Sequence, residues 1–330
     1  MLRAPLRLHN LSCLLLLSAS LCHAQAPELS ASETPLPGDL KSRIHYNADD
    51  LLGPSGSTEN SRARKSRGEG CAASLPEGAL PRVADRNLKL KVACLEHQAV
   101  AYSPQTLSAV WAAERLTSHS LAEASRYQAF PHPPLHAEQA LAEAKTPHIR
   151  PSDYLHSDWL PGLLADPANM PTRKSAWQAW SMMNTAAMHP GLYHDLWVRI
   201  RQSVTALAIN PTALNGLQRI SFWVVTGVCQ PEVSADAKPV IGIPTAFYKA
   251  LLAPEYNISG AIVAANNGSG QWEVMPLDKL QAKCGVIPFP ETPPSYRAQV
   301  QNMPQPLKEV RANGLFGRSA NIDIEPALQR

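Results

Sequence analysis

Residues Tyr102 to Thr117 read YSPQTLSAVWAAERLT. Ala99–Tyr102 and Val110–Ala113 are short apolar runs of strand type, and Ser103-Pro104-Gln105-Thr106 supplies the turn chemistry between them. Upstream, Leu88, Leu90 and Val92 alternate with Lys89 and Lys91, the period of a half-buried strand. Downstream, Pro171 to about Ala208 is helical in pattern. Trp177, Trp180, Met183 and Asn184 share one face, and after a break at His189-Pro190-Gly191 the residues Leu192, Leu196, Ile200 and Val204 recur every four. Strand readings resume at Ile220–Thr226, Val240–Ile243, Phe247–Leu252 and Ile258–Ala264, and Leu277–Lys283 fits a short helix. Strands, two central helices and strands again predict a mixed α+β domain.

The chain has 330 residues, 45% of them hydrophobic and 17% charged, with a net charge of +3. That is apolar material for one good-sized core, without the global basic field that by itself announces a nucleic-acid binder. Arg3 and Arg7 precede an apolar run from Leu11 to Leu21, and Cys22-His23-Ala24 offers small residues for cleavage. This is the pattern of a secretory signal over residues 1–24, with Gln25 first in the mature chain. The run is too short to span a bilayer and no later stretch reaches roughly 18 uninterrupted apolar residues. The expectation is an exported protein, periplasmic or secreted, with no membrane span.

Residues 25–85 are Ser, Pro, Gly and charge without periodicity, predicting a disordered arm. Its basic run Arg62-Ala63-Arg64-Lys65-Ser66-Arg67 reads as solvated charge, with a phosphate- or membrane-seeking patch as the alternative. Residues 86–291 are the expected folded domain and 292–330 a proline-rich tail. Of six cysteines, Cys13 and Cys22 leave with the signal. Cys71, Cys94, Cys229 and Cys284 remain as disulfide candidates; three pairings are open, and Cys71–Cys94 with Cys229–Cys284 is favoured. The absence of a CxxC pair gives no support to zinc or thiol-redox chemistry.

The stretch Tyr102–Thr117 resembles the opening strands of the DNA/RNA non-specific endonuclease family, whose members carry a Tyr-Ser or Tyr-Asn turn and then Trp-x-Ala-Glu-x-Leu-Thr. Further similarities follow in family order. They are Arg126 with Phe130, Asp153-Tyr154, Asn184 with Trp197, Val224-Val225-Thr226-Gly227, Ile243-Pro244-Thr245-Ala246-Phe247-Tyr248-Lys249, and Cys284-Gly285-Val286-Ile287-Pro288-Phe289. The resemblance runs from about Cys94 to Phe289. It implies the ββα-metal (His-Me finger) architecture, a central mixed or antiparallel sheet with flanking helices, in which one hairpin and one helix present the site. It also implies a chemistry. A histidine acts as general base on water, and an asparagine holds hydrated magnesium. An arginine clamps the phosphate, and a glutamate tunes the metal's water shell.

At those positions this sequence departs from the family. Counting from Asp153-Tyr154, the family's Ser-Gly-Tyr-Asp-Arg-Gly-His falls on Ser157-Asp158-Trp159-Leu160-Pro161-Gly162-Leu163. The base position is therefore Leu163, and its arginine neighbour is Pro161. Asn184 and Trp197 keep the family separation, which puts the metal-holding asparagine on Tyr193, the glutamate on Arg201 and a nearby arginine on Thr205. Leucine can neither take a proton nor ligate, phenol is a poor magnesium ligand, and guanidinium repels the ion. The leading expectation is a catalytically degenerate homologue without a cofactor that binds nucleic acid or a protein partner. Arg126 is its retained phosphate-binding candidate, while Asn184 and Lys249 are read as structural.

Two alternatives stay open. Seven of the eleven histidines lie between His119 and His194. His156 or His194 can stand in for the lost base, and His189 with His194 flanks the lost metal position. With magnesium or another divalent cation the chain is then an active endonuclease hydrolysing phosphodiester bonds. The other alternative is a structural or interaction module of an envelope or secretion assembly. Asp153, Asp158 and Asp166 read as turn and capping residues rather than a metal cage.

Overall fold

Residues 71–126, 135, 145–155, 157–209, 220–229 and 239–310 are described in the computed structural model. Their centre is a seven-stranded sheet built from β2 (Lys91–Cys94), β3 (Gln98–Ser103), β4 (Ser108–Thr117), β7 (Ser221–Cys229), β8 (Ala246–Ala253), β9 (Ile258–Ala265) and β10 (Trp272–Met275). The spatial order is β10-β9-β8-β7-β4-β3-β2, and every neighbouring pair is antiparallel. The quoted stretch forms the β3–β4 hairpin, and β4 continues through Glu114-Arg115-Leu116-Thr117 because Trp111–Thr117 pairs with Ser221–Gly227 of β7.

The strands read as unbroken apolar runs because both faces of the sheet are covered. On one face Val100, Tyr102, Ala112, Leu116, Phe222, Val224, Phe247 and Ile262 pack with Trp180, Trp197, Ile200 and Leu164. On the other, Ala101, Val110, Trp111, Val225, Tyr248, Ala250 and Val263 pack with Leu75, Leu280 and Val286. Burying a side chain of this size stabilises by roughly 1.5–3 kcal/mol relative to leaving it exposed, so two covered faces give the fold two cores on one sheet. Helix α1 (Ser118–Ser125) starts directly off β4, where Thr117 and Ser120 cap each other's backbone amides at 3.0 and 2.9 Å. The same reciprocal cap, Thr172 with Ser175, opens α2 (Arg173–Ala179).

The first face carries a smaller unit. Strand β5 (Leu160–Leu163) pairs with β6 (Thr185–Met188), and a π-helical turn at Leu192–Leu196 leads into α3 (Trp197–Ile209). Gly162 is needed there, since a Cβ would meet Met188 at 2.7 Å. Across the second face lie β1 (Arg82–Val83), β11 (Val286–Ile287), which pairs with it, and α4 (Leu277–Cys284). Cys71 is bonded to Cys94 and Cys229 to Cys284, so each disulfide ties a strand end of the sheet to a segment on that face.

Four readings of the sequence differ from the structure. Ordered chain starts before residue 86: Cys71, Leu75 and Ala79 are buried and Arg82–Val83 is paired. Helix α2 stops at Ala179, and Met182–Asn184 is a tight turn feeding β6, because pairing with β5 overrides the helical periodicity that continued to Met183 and Asn184. Val240–Ile243 is not a strand, although Val240 and Gly242 donate to the carbonyls of Gln105 and Thr106. Part of the proline-rich tail is fixed: α5 (Pro294–Arg297) leads to Gln301, which exchanges two backbone hydrogen bonds with Ser259. The signal segment, the basic run at 62–67, Phe130, His132, His136 and His156 lie outside the described residues.

Candidate functional site

The hairpin β5–β6 and helix α3 together form a ββα unit, with Leu163 on β5, Tyr193 in the turn that leads into α3 and Arg201 on α3. Leu163 ends β5 opposite Thr185 and is buried in the core. Tyr193 sits in the π-helical turn, buried, with its ring 5.1 Å from that of His194 and edge-on to it. His194 itself is exposed. Asn184 is buried and wholly engaged: its Oδ1 accepts from Ala165 N at 2.9 Å and its Nδ2 donates to the carbonyls of Ala165 and Ala179, both at 2.9 Å. It joins the segment after β5 to the turn before β6, which accounts for its presence without any catalytic contact. His189, at the end of β6, accepts the Gly191 amide on Nδ1 at 3.0 Å and meets Trp159 edge-on. Arg126, at the C-terminal end of α1, is exposed and paired with Glu123 at 2.9 Å.

Near Tyr193 lies a cluster of charges. Arg201 Nε donates to Asp166 Oδ2 at 2.7 Å, and Arg201 Nη2 lies 2.7 Å from the same oxygen, with side-chain exposures of only 14% and 5%. Burial works against the guanidinium charge, but Asp166, helped by Tyr193, more than offsets it and holds Arg201 above its ordinary pKa. Asp166 Oδ1 also accepts from Ala168 N at 3.0 Å, so the capping role read from sequence is present alongside the ion pair. Thr205 donates to Asn169 Oδ1 at 3.3 Å, and Asn169 Nδ2 donates to Glu114 Oε2 of β4 at 3.2 Å. Lys249 of β8 donates to Thr226 of β7 at 2.7 Å and lies over the Trp197 ring at 5.6 Å. Burial pushes the Glu114 carboxyl up to about 7 against the pull of Lys249, and burial lowers Lys249 against the pull of Glu114. Sequence reasoning passed over Glu114 and Asn169, although an acid and a lysine inside the apolar runs AVWAAERL and AFYKALLA were a visible signal of a buried pair.

The model of the DNA/RNA non-specific endonuclease family matches residues 80–295 of this sequence. The chain belongs to that family. Among solved structures, a chain of the EndoG/EndoGI complex, determined to show the mechanism of EndoG inhibition, superposes with a TM-score of 0.53 at 16% identity. The match covers 73% of this chain and 96% of that one. It shows the shared fold, a large antiparallel sheet carrying few helices. A search of curated proteins finds no match.

Family members are typically dependent on a divalent metal, and the groups at the positions counted from the family motif do not fit one. Magnesium takes hard oxygen ligands in an octahedron. Counted on the family register, the base position is an aliphatic chain, the metal-holding position a buried phenol and the water-tuning position a guanidinium already satisfied by Asp166. Among the described residues no three His, Cys, Asp or Glu side chains gather as a metal set.

Proposed function

We propose that this chain is a catalytically degenerate member of its family, an exported protein that keeps the nuclease frame for binding rather than cutting. One observation carries the reading: Arg201, where the family register puts the water-tuning glutamate, is buried against Asp166 with the two charges satisfying each other. Leu163 and Tyr193 support it too, since at those two positions neither general-base catalysis nor ion binding has a group to run on. Export is supported by the signal-type N-terminus and by two disulfides, which persist in oxidising compartments. The partner is a nucleic acid, as the family suggests, or a protein. The EndoG/EndoGI complex supports a protein partner by showing a similar fold engaged by an inhibitor.

The test is a cleavage assay of purified mature protein on plasmid DNA and RNA with magnesium, manganese, zinc and chelator. No cutting is expected. Robust chelator-sensitive cutting that disappears in His156→Ala or His194→Ala overturns the proposal in favour of a rearranged active site. Binding is read separately: phosphate contacts give DNA affinity that falls steeply with salt, and loss of that signal with cutting also absent leaves the protein-partner reading. Gain of activity in Leu163→His with Tyr193→Asn and Arg201→Glu supports the register on which the proposal stands.

A further inference from the structure

The hairpin between β9 and β10 runs Asn266-Asn267-Gly268-Ser269-Gly270-Gln271, without a charged residue. Its two asparagines stand in opposite situations. Asn266 is buried: its Oδ1 accepts the His189 amide at 2.8 Å, and its Nδ2 donates to the carbonyls of Ala187 and Pro244 at 3.0 and 2.9 Å. Asn267 is exposed and turns back on its own loop, where its Oδ1 accepts the Ser269 amide at 3.0 Å. This is an Asx turn, the local closure that asparagine makes in loops.

The turn brings an electrophile to a nucleophile. The ring that this hydrogen bond closes contains the Gly268 nitrogen, and a bond from that nitrogen to Asn267 Cγ makes a five-membered imide. Three features favour the attack. Glycine leaves its nitrogen uncrowded, and the structure keeps glycine at 268: its φ is +70°, and a Cβ there would stand 2.5 Å from His189 Cε1. The Gly268 amide donates no hydrogen bond among the described residues, so nothing holds its proton. The Ser269 amide already points at Oδ1, the atom that gains negative charge when Cγ is attacked. We propose that Asn267 is a site of spontaneous deamidation, which gives this uncharged hairpin a carboxylate.

The Gly268 nitrogen gives its proton to hydroxide and bonds to Asn267 Cγ. The Cγ–Nδ2 bond breaks, and Nδ2 leaves as ammonia with a proton taken from water. Water then opens the imide. Attack at Cγ gives aspartate, and attack at the Asn267 main-chain carbonyl gives isoaspartate, whose backbone is one carbon longer. The sum is one water consumed and one ammonia released, with no other co-reactant.

The location ties the change to the ββα unit. Gly191 comes so close to the hairpin that a Cβ on it would stand 3.1 Å from Gly268 Cα. His189, whose ring faces Gly268, accepts the Gly191 amide on Nδ1 and meets Trp159 edge-on. The new carboxylate therefore arises one residue from the contact of the hairpin with His189 and Gly191.

The experiment ages the full mature protein at 37 °C and pH 7.5, with parallel samples at pH 6 and in urea. Pepsin digestion in acid and fragment-ion mass analysis then locate each converted residue. The expected result is an Asn267 that gains the amide-to-acid mass in native protein, as separable aspartate and isoaspartate forms, and faster at pH 7.5 than at pH 6. Asn257, which precedes Ile258, and the buried Asn266 are internal controls and should stay amides. Asn215 and Asn313 also precede glycine but lie outside the described residues, so only the peptide of Asn267 is scored. An Asn267 that stays an amide in native protein overturns the proposal, whether or not it converts in urea. Conversion of Asn257 and Asn267 at equal rates overturns it as well. Asn267→Gln, an exposed change that would need a six-membered imide, should abolish the mass gain; an undiminished gain in that peptide overturns the assignment.

Discussion

Replacing Arg201 by methionine tests whether the charge cluster holds the ββα element in place. The substitution keeps much of the side-chain volume but leaves Asp166, whose side chain is 5% exposed, without its cation. Removing one member of a buried pair costs about 3–5 kcal/mol, most of it the uncompensated charge. Asp166 keeps its hydrogen bond from Ala168 N at 3.0 Å, which places the expected loss at the lower end, about 3 kcal/mol. For a domain of this size that is a fall in Tm of roughly 6–12 °C. Asp166→Leu should cost less, because the long arginine stem can carry its head toward water. The double variant Asp166→Leu/Arg201→Met should return to within about 1.5 kcal/mol of wild type, since a buried pair exchanged whole for apolar groups is often neutral. Urea unfolding followed by tryptophan fluorescence reads all three, with Trp180 and Trp197 buried in the same core. A loss below about 1 kcal/mol for Arg201→Met, or single effects that simply add in the double variant, refutes the reasoning, because either result means the pair is solvated and uncoupled.

Asn184→Ala removes three hydrogen bonds at 2.9 Å and leaves the amide and carbonyl of Ala165 and the carbonyl of Ala179 bare; a loss of about 3 kcal/mol is expected in the same unfolding assay, and a neutral effect would count against Asn184 as the joint between β5 and β6. Gly227→Ala places a methyl group against the buried Tyr248 ring and the Val110 carbonyl at 2.7 Å, so overpacking should cost about 2–3 kcal/mol and lower the urea midpoint. Reducing Cys229–Cys284, which closes a separation of 55 residues, should cost about 4 kcal/mol in the chain-entropy model; the check is the thermal midpoint with and without a phosphine reductant, using Cys229→Ser/Cys284→Ser as the control.

The fold was legible where one residue type implies one environment. The strands at β3, β4, β7, β8 and β9 announce themselves as apolar runs because the sheet is covered on both faces, and the repeat Leu192, Leu196, Ile200, Val204 marks the inward face of α3 and its lead-in. The β5–β6 hairpin was not legible from pattern. Leu160-Pro161-Gly162-Leu163 has no alternation and contains a proline, and Met183–Met188 continues a helical stripe. Both become strands only through each other, with Asn184 fixing the join. The site was half legible. Counting from the family motif lands on Leu163, Tyr193 and Arg201, but counting cannot show that Arg201 reaches back 35 residues to Asp166. Asp166 read as a cap, and it is one; its second oxygen serves the ion pair. A partner in three dimensions leaves no local signature.

On the proposed reading, that long-range pairing bears on what it would take to recover a nuclease. Arg201→Glu taken alone sets a second carboxylate against Asp166 in a buried place, with no cation between them. Like charges so close raise one another's pKa and destabilise the fold, so the variant should unfold before it gains a metal-tuning acid. Leu163→His taken alone puts an imidazole into a buried apolar position where its charged form is disfavoured. Each reversal is penalised by a residue that now depends on the present arrangement: Asp166 needs Arg201, and the apolar core needs Leu163. Arg201 and Asp166 thus satisfy each other, and Leu163 is part of the apolar core, an arrangement that needs no ion. A restoration series should therefore add Asp166→Asn to the three substitutions, so that the new carboxylate meets an amide instead of a charge. If activity appears only with that fourth change, the ion pair is what keeps the site closed to metal. If three changes suffice, Asp166 can serve a metal as readily as it serves Arg201.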